Sequence, residues 1–210
     1  MKGEREEGRG KGERGKQFPR WFEVISAMGG LLLLSPMLLL IAAVVKMSSE
    51  GPVRFRARRV GKDGKLFTLL KFRSMTADAH VNGSGITSAT DMRITGVGRF
   101  LRRWKLDELP QLWNVLVGNM SFVGPRPEDP RFVSQYPENL KPILNFRPGI
   151  TSPASITYRN ESALLTTDNH EEEYVNVILP HKLEMDLRYF ESARFWEHVR
   201  VIWRTVKGEK

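Results

Sequence analysis

The chain has no cysteine among its 210 residues. Disulfides and thiolate metal centres are therefore excluded, though the compartment is not fixed. Histidine is scarce as well. His80, His170, His181 and His198 are scattered with no ligand spacing, so a histidine metal site is not expected. There is no internal repeat and no C-terminal lipidation signal. No dinucleotide fingerprint occurs either, because Gly96-Val97-Gly98-Arg99-Phe100 has the wrong glycine spacing and the wrong strand context. Acidic charge is in deficit: 24 Asp and Glu face 33 Lys and Arg, a formal net charge of +9. Such a balance calls for an anionic partner, such as a phospholipid surface, a phosphorylated substrate or nucleic acid. No recognition motif accompanies the charge, so nucleic acid is not expected.

Long apolar runs are absent apart from one. From Val24 to Val45 no residue is charged, long enough for a helix inserted in a bilayer. A cleaved signal peptide is the rival reading, but its apolar region is shorter and ends in small residues, whereas here Lys46-Met47-Ser48-Ser49-Glu50 follows. Residues 1–20 are rich in Gly, Lys, Arg and Glu and read as a disordered basic arm. Both flanks of the run are basic, so the positive-inside rule names no outer side. Ser35 and Pro36 interrupt the run. Proline lacks an amide hydrogen, so the helix is expected to kink, and the carbonyl freed at Leu32 needs the Ser35 hydroxyl or a water. Residue physics leaves two geometries: a kinked span, or a helix-break-helix that enters and returns.

Val53 to Met75 reads as a β-hairpin turning at Lys62-Asp63-Gly64. His80 to Asp91 is a polar loop, and residues from Gly96 to Asn119 carry helical periodicity broken at Pro110. Seven prolines between Pro125 and Pro153 imply short irregular pieces. Two helices close the chain, from near Pro180 and near Ala193. In the second, Phe195, Trp196, Val199, Ile202, Trp203 and Val206 share one face, opposite His198, Arg200, Arg204 and Lys207. That pattern suits either core packing or a helix lying in a membrane interface.

The densest cluster of chemistry is LRRWKLDELPQLWNVLVGNMSFVGPRPEDP, Leu101 to Pro130. Pro110 suits the first turn of a helix, with Asp107 as N-cap and Glu108 beside it. Capping alone would explain an isolated Asp-Glu-Leu-Pro. Arg102, Arg103 and Lys105 upstream, and Arg126 framed by Pro125 and Pro127, point instead to a phosphate site with a divalent cation.

These residues resemble the bacterial sugar transferases, the monotopic phosphoglycosyl transferases, from about Trp21 to the C-terminus. The resemblance rests on Ser35-Pro36, GKDGKLFTLLKFRSM, LDELPQLWNVLVGNMSFVGPRP, Arg147-Pro148-Gly149-Ile150-Thr151 and MDLRYF in the closing helices. It implies an enzyme of the bacterial inner membrane, with its catalytic domain on the cytoplasmic face. Such an enzyme moves a sugar-1-phosphate from a UDP-sugar to polyprenol phosphate, undecaprenyl phosphate being the expected acceptor, and releases UMP. The resemblance makes Asp107 the nucleophile and Glu108 its acidic neighbour. It places Mg²⁺ on Asp107, and phosphate on Arg102, Arg126 and Arg159, with Lys71 and Arg73 as further candidates. Ser35 and Pro36 become the membrane break, and re-entry is favoured over a span. The loop after Thr151 departs from the family's usual pattern, so it says nothing of sugar selectivity, and Asp186 and Tyr189 read as structural.

The expected architecture is α+β. Residues 1–20 are the arm, 21–47 a re-entrant membrane helix, and 48–210 a cytosolic catalytic domain with a β-hairpin, short helices and interfacial amphipathic helices. The partners are the donor, the acceptor and membrane lipid; oligomeric state stays open. A non-catalytic membrane scaffold of envelope-polysaccharide assembly, with the acids only capping a helix, is the alternative.

Overall fold

A computed structural model describes residues 16–76, 91–161 and 170–208. His80 and most of the expected polar loop lie outside the described residues. The fold mixes helices with two small sheets, as expected for α+β. Helix α1 (Arg20–Ser48) is followed by a hairpin of β1 (Arg54–Val60) and β2 (Leu66–Phe72). Asp63 and Gly64 in its turn both have positive φ, 56° and 74°, the backbone an Asp-Gly turn provides. Next come α2 (Gly96–Arg103), a 3₁₀ turn (Leu106–Glu108), α3 (Gln111–Val117) and β3 (Ser121–Val123). Helix α4 (Pro130–Val133) and a 3₁₀ stretch (Glu138–Asn145) lead to β4 (Gly149–Thr151), which pairs in parallel with β3. The remainder is helical: α5 (Pro153–Thr157), α6 (His170–Glu173), a π segment (Tyr174–Ile178), α7 (Leu179–Ser192) and α8 (Phe195–Lys207).

Helix α1 runs without interruption through Pro36. The expected helix-break-helix is thus one helix, and the Ser35 hydroxyl donates to Leu32 O at 2.8 Å, satisfying the carbonyl that proline frees. Glu23, Ala27, Ile41 and Val45 are buried, and Gly30, Leu34 and Leu38 are half-buried. Steps of three and four residues put all seven on one face along the helix. The near end of this stripe packs in a cluster with Ala57, Leu69 and Val115, the far end in one with Phe72 and Leu101. The opposite face, including Leu32, Leu33, Leu39 and Leu40, is exposed.

Residues 16–20 do not belong to a free arm. Phe18 is buried in the main core, and the Gln17 amide donates to Val123 O and Arg147 O while accepting from Arg147 N–H. The buried His198 ring bridges Lys16 O at 3.1 Å and the Tyr189 hydroxyl at 2.8 Å. A carbonyl can only accept, so Nε2 carries the proton and Nδ1 accepts from Tyr189. Burial pushes the His198 pKa down, keeping the ring neutral. Lys16 to Phe18 are thus part of the domain, because a short segment with one aromatic and one amide has partners waiting at β3, Arg147 and α8.

The main core joins β3, α4, α7 and α8 through Val123, Phe132, Leu140, Ile143, Phe190 and Val201. Helix α8 turns His198 and Val201 inward and leaves Trp196, Trp203 and Val206 exposed. All five tryptophans of the chain are in this condition, between 52% and 76% exposed, with Trp21 on α1, Trp104 after α2 and Trp113 on α3. A water-facing surface has little use for such side chains, whereas an amphipathic indole fits a membrane interface.

Candidate active site

Motifs far apart in sequence meet at the 3₁₀ turn that carries Asp107 and Glu108, both buried. The turn leads through Leu109 and Pro110 into α3, so Pro110, not Asp107, occupies the N-cap position. The expected capping role is therefore corrected. The bonds Glu108 N–H to Lys105 O and Leu109 N–H to Leu106 O wind the acids into their own turn, leaving both carboxylates available for other partners. The break falls upstream at Lys105, which sits in the left-handed region with φ 57°. A lysine there costs about 1 kcal/mol, and such outliers gather at functional sites.

Lys71 enters from β2. The Asn114 side chain on α3 accepts from Leu70 N–H at 3.0 Å and donates to Thr68 O at 2.8 Å, fixing β2 against α3. Lys71 Nζ then reaches Glu108 Oε1 at 2.7 Å. Arg126 Nη2 meets the same oxygen at 3.4 Å. Burial pushes the Glu108 carboxyl up, but Lys71, Arg126 and Lys105 outweigh it and hold the group well below the ordinary carboxylate range.

The Pro125-Arg126-Pro127 frame is fixed by glycine contact. A Cβ on Gly124 would fall 2.2 Å from Arg147 O, and one on Gly149 would fall 2.0 Å from Gly124 N. The two backbones touch beside the parallel pair of β3 and β4, so neither position admits a side chain. Arg147 on the same strand end binds the buried Glu23 of α1 at 3.0 Å.

Asp107 is the odd member of the site. Its Oδ1 is buried with no hydrogen-bond partner among the described residues. Burial pushes the Asp107 carboxyl up and Glu108 adds to the rise, while Lys71, Arg102 and Lys105 oppose it. Arg102 is aimed by Ser74, whose hydroxyl accepts from Nε at 2.8 Å. Helix α2 lies against Ser74 because Gly98 has no side chain; a Cβ there would fall 1.9 Å from Ser74 O.

The turn thus brings together Asp107, Glu108, Lys71, Arg126 and Arg102. Two expected phosphate ligands are engaged elsewhere. Arg73 is buried and donates to Pro52 O, Val45 O and Ser49 O, closing the C-terminal end of α1. Arg159 donates to Thr205 O at 3.2 Å, at the end of α8. Asp186 caps α5 by accepting from Ala154 N–H at 3.0 Å, and Tyr189 holds His198, both structural as read. Sequence reasoning missed Ser74, Asn114 and Arg147. All three stand inside quoted motifs, but nothing in the spacing separates an aiming residue from a core one.

Among the described residues no group of three or more His, Asp or Glu gathers to form a metal cage. The arrangement nonetheless fits a small hard cation. Mg²⁺ commonly takes one or two carboxylates and completes its shell with water and substrate phosphate. The orphaned buried oxygen of Asp107, next to Glu108, is the donor such an ion needs.

Residues 15–208 match the family model described as bacterial sugar transferase. The chain is 41% identical over 190 residues to a UDP-glucose:undecaprenyl-phosphate glucose-1-phosphate transferase of Escherichia coli (strain K12), covering 88% of this chain and 38% of that protein. It is 40% identical over 195 residues to a Klebsiella pneumoniae protein of the same name, covering 90% and 39%. It is 33% identical over 192 residues to a UDP-N-acetylgalactosamine-undecaprenyl-phosphate N-acetylgalactosaminephosphotransferase of Aeromonas hydrophila, covering 90% and 42%. The chain spans about two fifths of the length of these relatives.

Proposed function

We propose that this chain, which belongs to the bacterial sugar transferase family, transfers a sugar-1-phosphate from a UDP-sugar to a polyprenol phosphate at a membrane surface. The observation that carries the reading is the buried acidic pair ringed by Lys71, Arg102 and Arg126, with one Asp107 oxygen unpartnered. The relatives' names give two different sugars, so the donor sugar is left unassigned.

In the first displacement an Asp107 oxygen attacks the β-phosphorus of the donor. The bond from that phosphorus to the bridging oxygen breaks, its electron pair leaves with UMP, and an aspartyl-phosphosugar remains. In the second, an oxygen of polyprenol phosphate attacks the same phosphorus and Asp107 departs as carboxylate. Anionic groups repel such an attack unless positive charge is placed beforehand, and Lys71, Arg102 and Arg126 supply it. Glu108, held ionised between Lys71 and Arg126, keeps those two cations on the site before substrate binds. The raised pKa of Asp107 favours attack, since a weakly stabilised carboxylate is the better nucleophile once ionised. Mg²⁺ held by Asp107 and Glu108 would add further screening of the diphosphate when bound.

The same reading places both ends of α1 on one face of the inner membrane, with the domain on the cytoplasmic side. Arg20 ties the start of α1 to Val115 O and Leu116 O at the end of α3. Arg73 ties its far end to the loop before β1. A helix crossing a hydrocarbon core needs about 20 residues clear of the domain. Here the stripe facing the domain recurs from Glu23 to Val45, while the exposed leucines face away. That supports a helix seated in one leaflet, with Trp21, Trp196 and Trp203 at the interface and the basic surface on anionic lipid.

The experiment uses the chain in lipid nanodiscs with UDP-sugars, Mg²⁺ and polyprenol phosphate, following UMP. Release is expected from wild type and is lost in Asp107→Asn. Release that persists in a folded Asp107→Asn variant overturns the assignment of the nucleophile.

A further inference from the structure

Two residues beyond Arg126, Glu128 joins a second cluster of charged groups that the transfer chemistry does not use. Lys182 of α7 is 4% exposed and carries its ammonium 2.9 Å from Glu161 Oε2 and 3.6 Å from Glu128 Oε1. It also donates to the Tyr174 hydroxyl at 3.1 Å, and that hydroxyl donates to Glu128 Oε1 at 2.7 Å. Tyr174 opens the π segment, a helix form that recurs at functional positions. Glu128 and Glu161 also attract Arg126, second only to Glu108 among the anions that act on it.

Counted by formal charge, two glutamates and one lysine leave the cluster one negative charge in excess. Arg126 is thus shared between two sets of anions: Glu108 holds it at the acidic turn (the forward pull), and Glu128 and Glu161 attract it towards their own cluster (the backward pull). Burial makes the backward pull strong, because charges there are poorly screened. Lys182 is what limits it.

We propose that Lys182 is a positioning residue for the phosphate-binding arginine: by satisfying Glu128 and Glu161 it keeps the Arg126 guanidinium forward, beside Glu108, where a nucleoside diphosphate binds. This rests on the reading of Arg126 as a phosphate ligand. Without the lysine, two carboxylates compete for Arg126 and draw it off the substrate site. Removing one glutamate as well restores the balance. Mere support of the fold does not predict that recovery, since a second buried substitution would then add to the damage.

The test measures binding of UDP itself, with Mg²⁺, to the full chain in nanodiscs, alongside thermal unfolding. Lys182→Met is expected to weaken UDP binding about tenfold, and Lys182→Met with Glu128→Gln to recover to within about threefold of wild type. Lys182→Arg is expected to bind as wild type. A folded Lys182→Met that binds UDP normally overturns the proposal, as does a double variant no better than the single one. Should Lys182→Met not fold, Glu161→Gln decides. Relieving the backward pull must leave UDP binding equal or tighter, and a loss beyond about threefold overturns the proposal. Wild type that binds no UDP at all would refute the transferase reading, a result distinguishable from either of these.

Discussion

Asp186→Asn offers a sharp separation of a buried acid that serves the fold from one that serves catalysis. Asp186 is 3% exposed on α7, and burial pushes its pKa from an ordinary 3.8 up to about 7, despite the hydrogen bonds from Ala154 and Ser152. The sign follows from the two states. Between about pH 4 and pH 7 the unfolded chain releases this proton while the folded one retains it, so stability is lost as pH rises through that window. At ~1.4 kcal/mol per pH unit the gap corresponds to ~4 kcal/mol. An asparagine keeps an oxygen for Ala154 N–H and has no proton to lose. Most of that gap falls between pH 4.5 and pH 8, so relative to wild type Asp186→Asn should gain ~3 kcal/mol over this interval, a relative rise in Tm of roughly 10 °C for a chain of this size. Thermal unfolding in nanodiscs at the two pH values reads it, and UMP release at pH 8 should persist. Parallel loss of stability in both proteins would refute the assignment of the titration. A folded variant that releases no UMP would refute the structural role.

Lys71→Met removes the 2.7 Å partner of Glu108, so that carboxyl rises towards its ordinary range. The acid limb of the pH–rate profile should move to higher pH and the plateau fall at least roughly tenfold; an unmoved limb would remove Lys71 from the site. Lys105→Gly relieves the left-handed backbone and should raise stability by about 1 kcal/mol in thermal unfolding while lowering activity, because a cation near the acids is lost. Since the chain has no native cysteine, single cysteines at Gln17 and at Ser49 can be probed with an impermeant thiol reagent. Both should be labelled only from the cytoplasmic side; labelling of either one from outside intact cells would show that α1 spans.

Much of the architecture was legible because local chemistry fixes it. Asp63-Gly64 dictates a hairpin turn, and apolar positions three and four residues apart mark the two closing helices. The acids were legible too, since Asp107, Glu108 and Arg126 stand within twenty residues of one another in an unusual motif. What local signals could not show is how arginines are shared out. Arg73 and Arg102 look alike in sequence, yet one closes a helix end and the other is aimed by Ser74 at the acids. That sorting depends on which carbonyls remain unpaired after packing, a property of the assembled fold. The N-cap expectation failed for a related reason. Pro110 announced a helix start, but the left-handed turn at Lys105 had already set the acids in a turn of their own.

Ser35 and Pro36 show why a flaw in an apolar helix need not be a break. The Ser35 hydroxyl closes the one carbonyl that proline opens, so α1 can continue as a helix. Its two ends are each held to the same domain by an arginine that donates to main-chain carbonyls, the observation on which the proposed one-sided seating of α1 rests. Those anchors place the acidic turn next to the helix: Leu106 and Leu109, on either side of the acids, pack in the cluster that holds Ile41 and Val45. The proposed chemistry needs that proximity. A donor dissolved in water and an acceptor dissolved in lipid must reach the same Asp107 oxygen in turn, and a nucleophile placed beside a leaflet-seated helix is within reach of both.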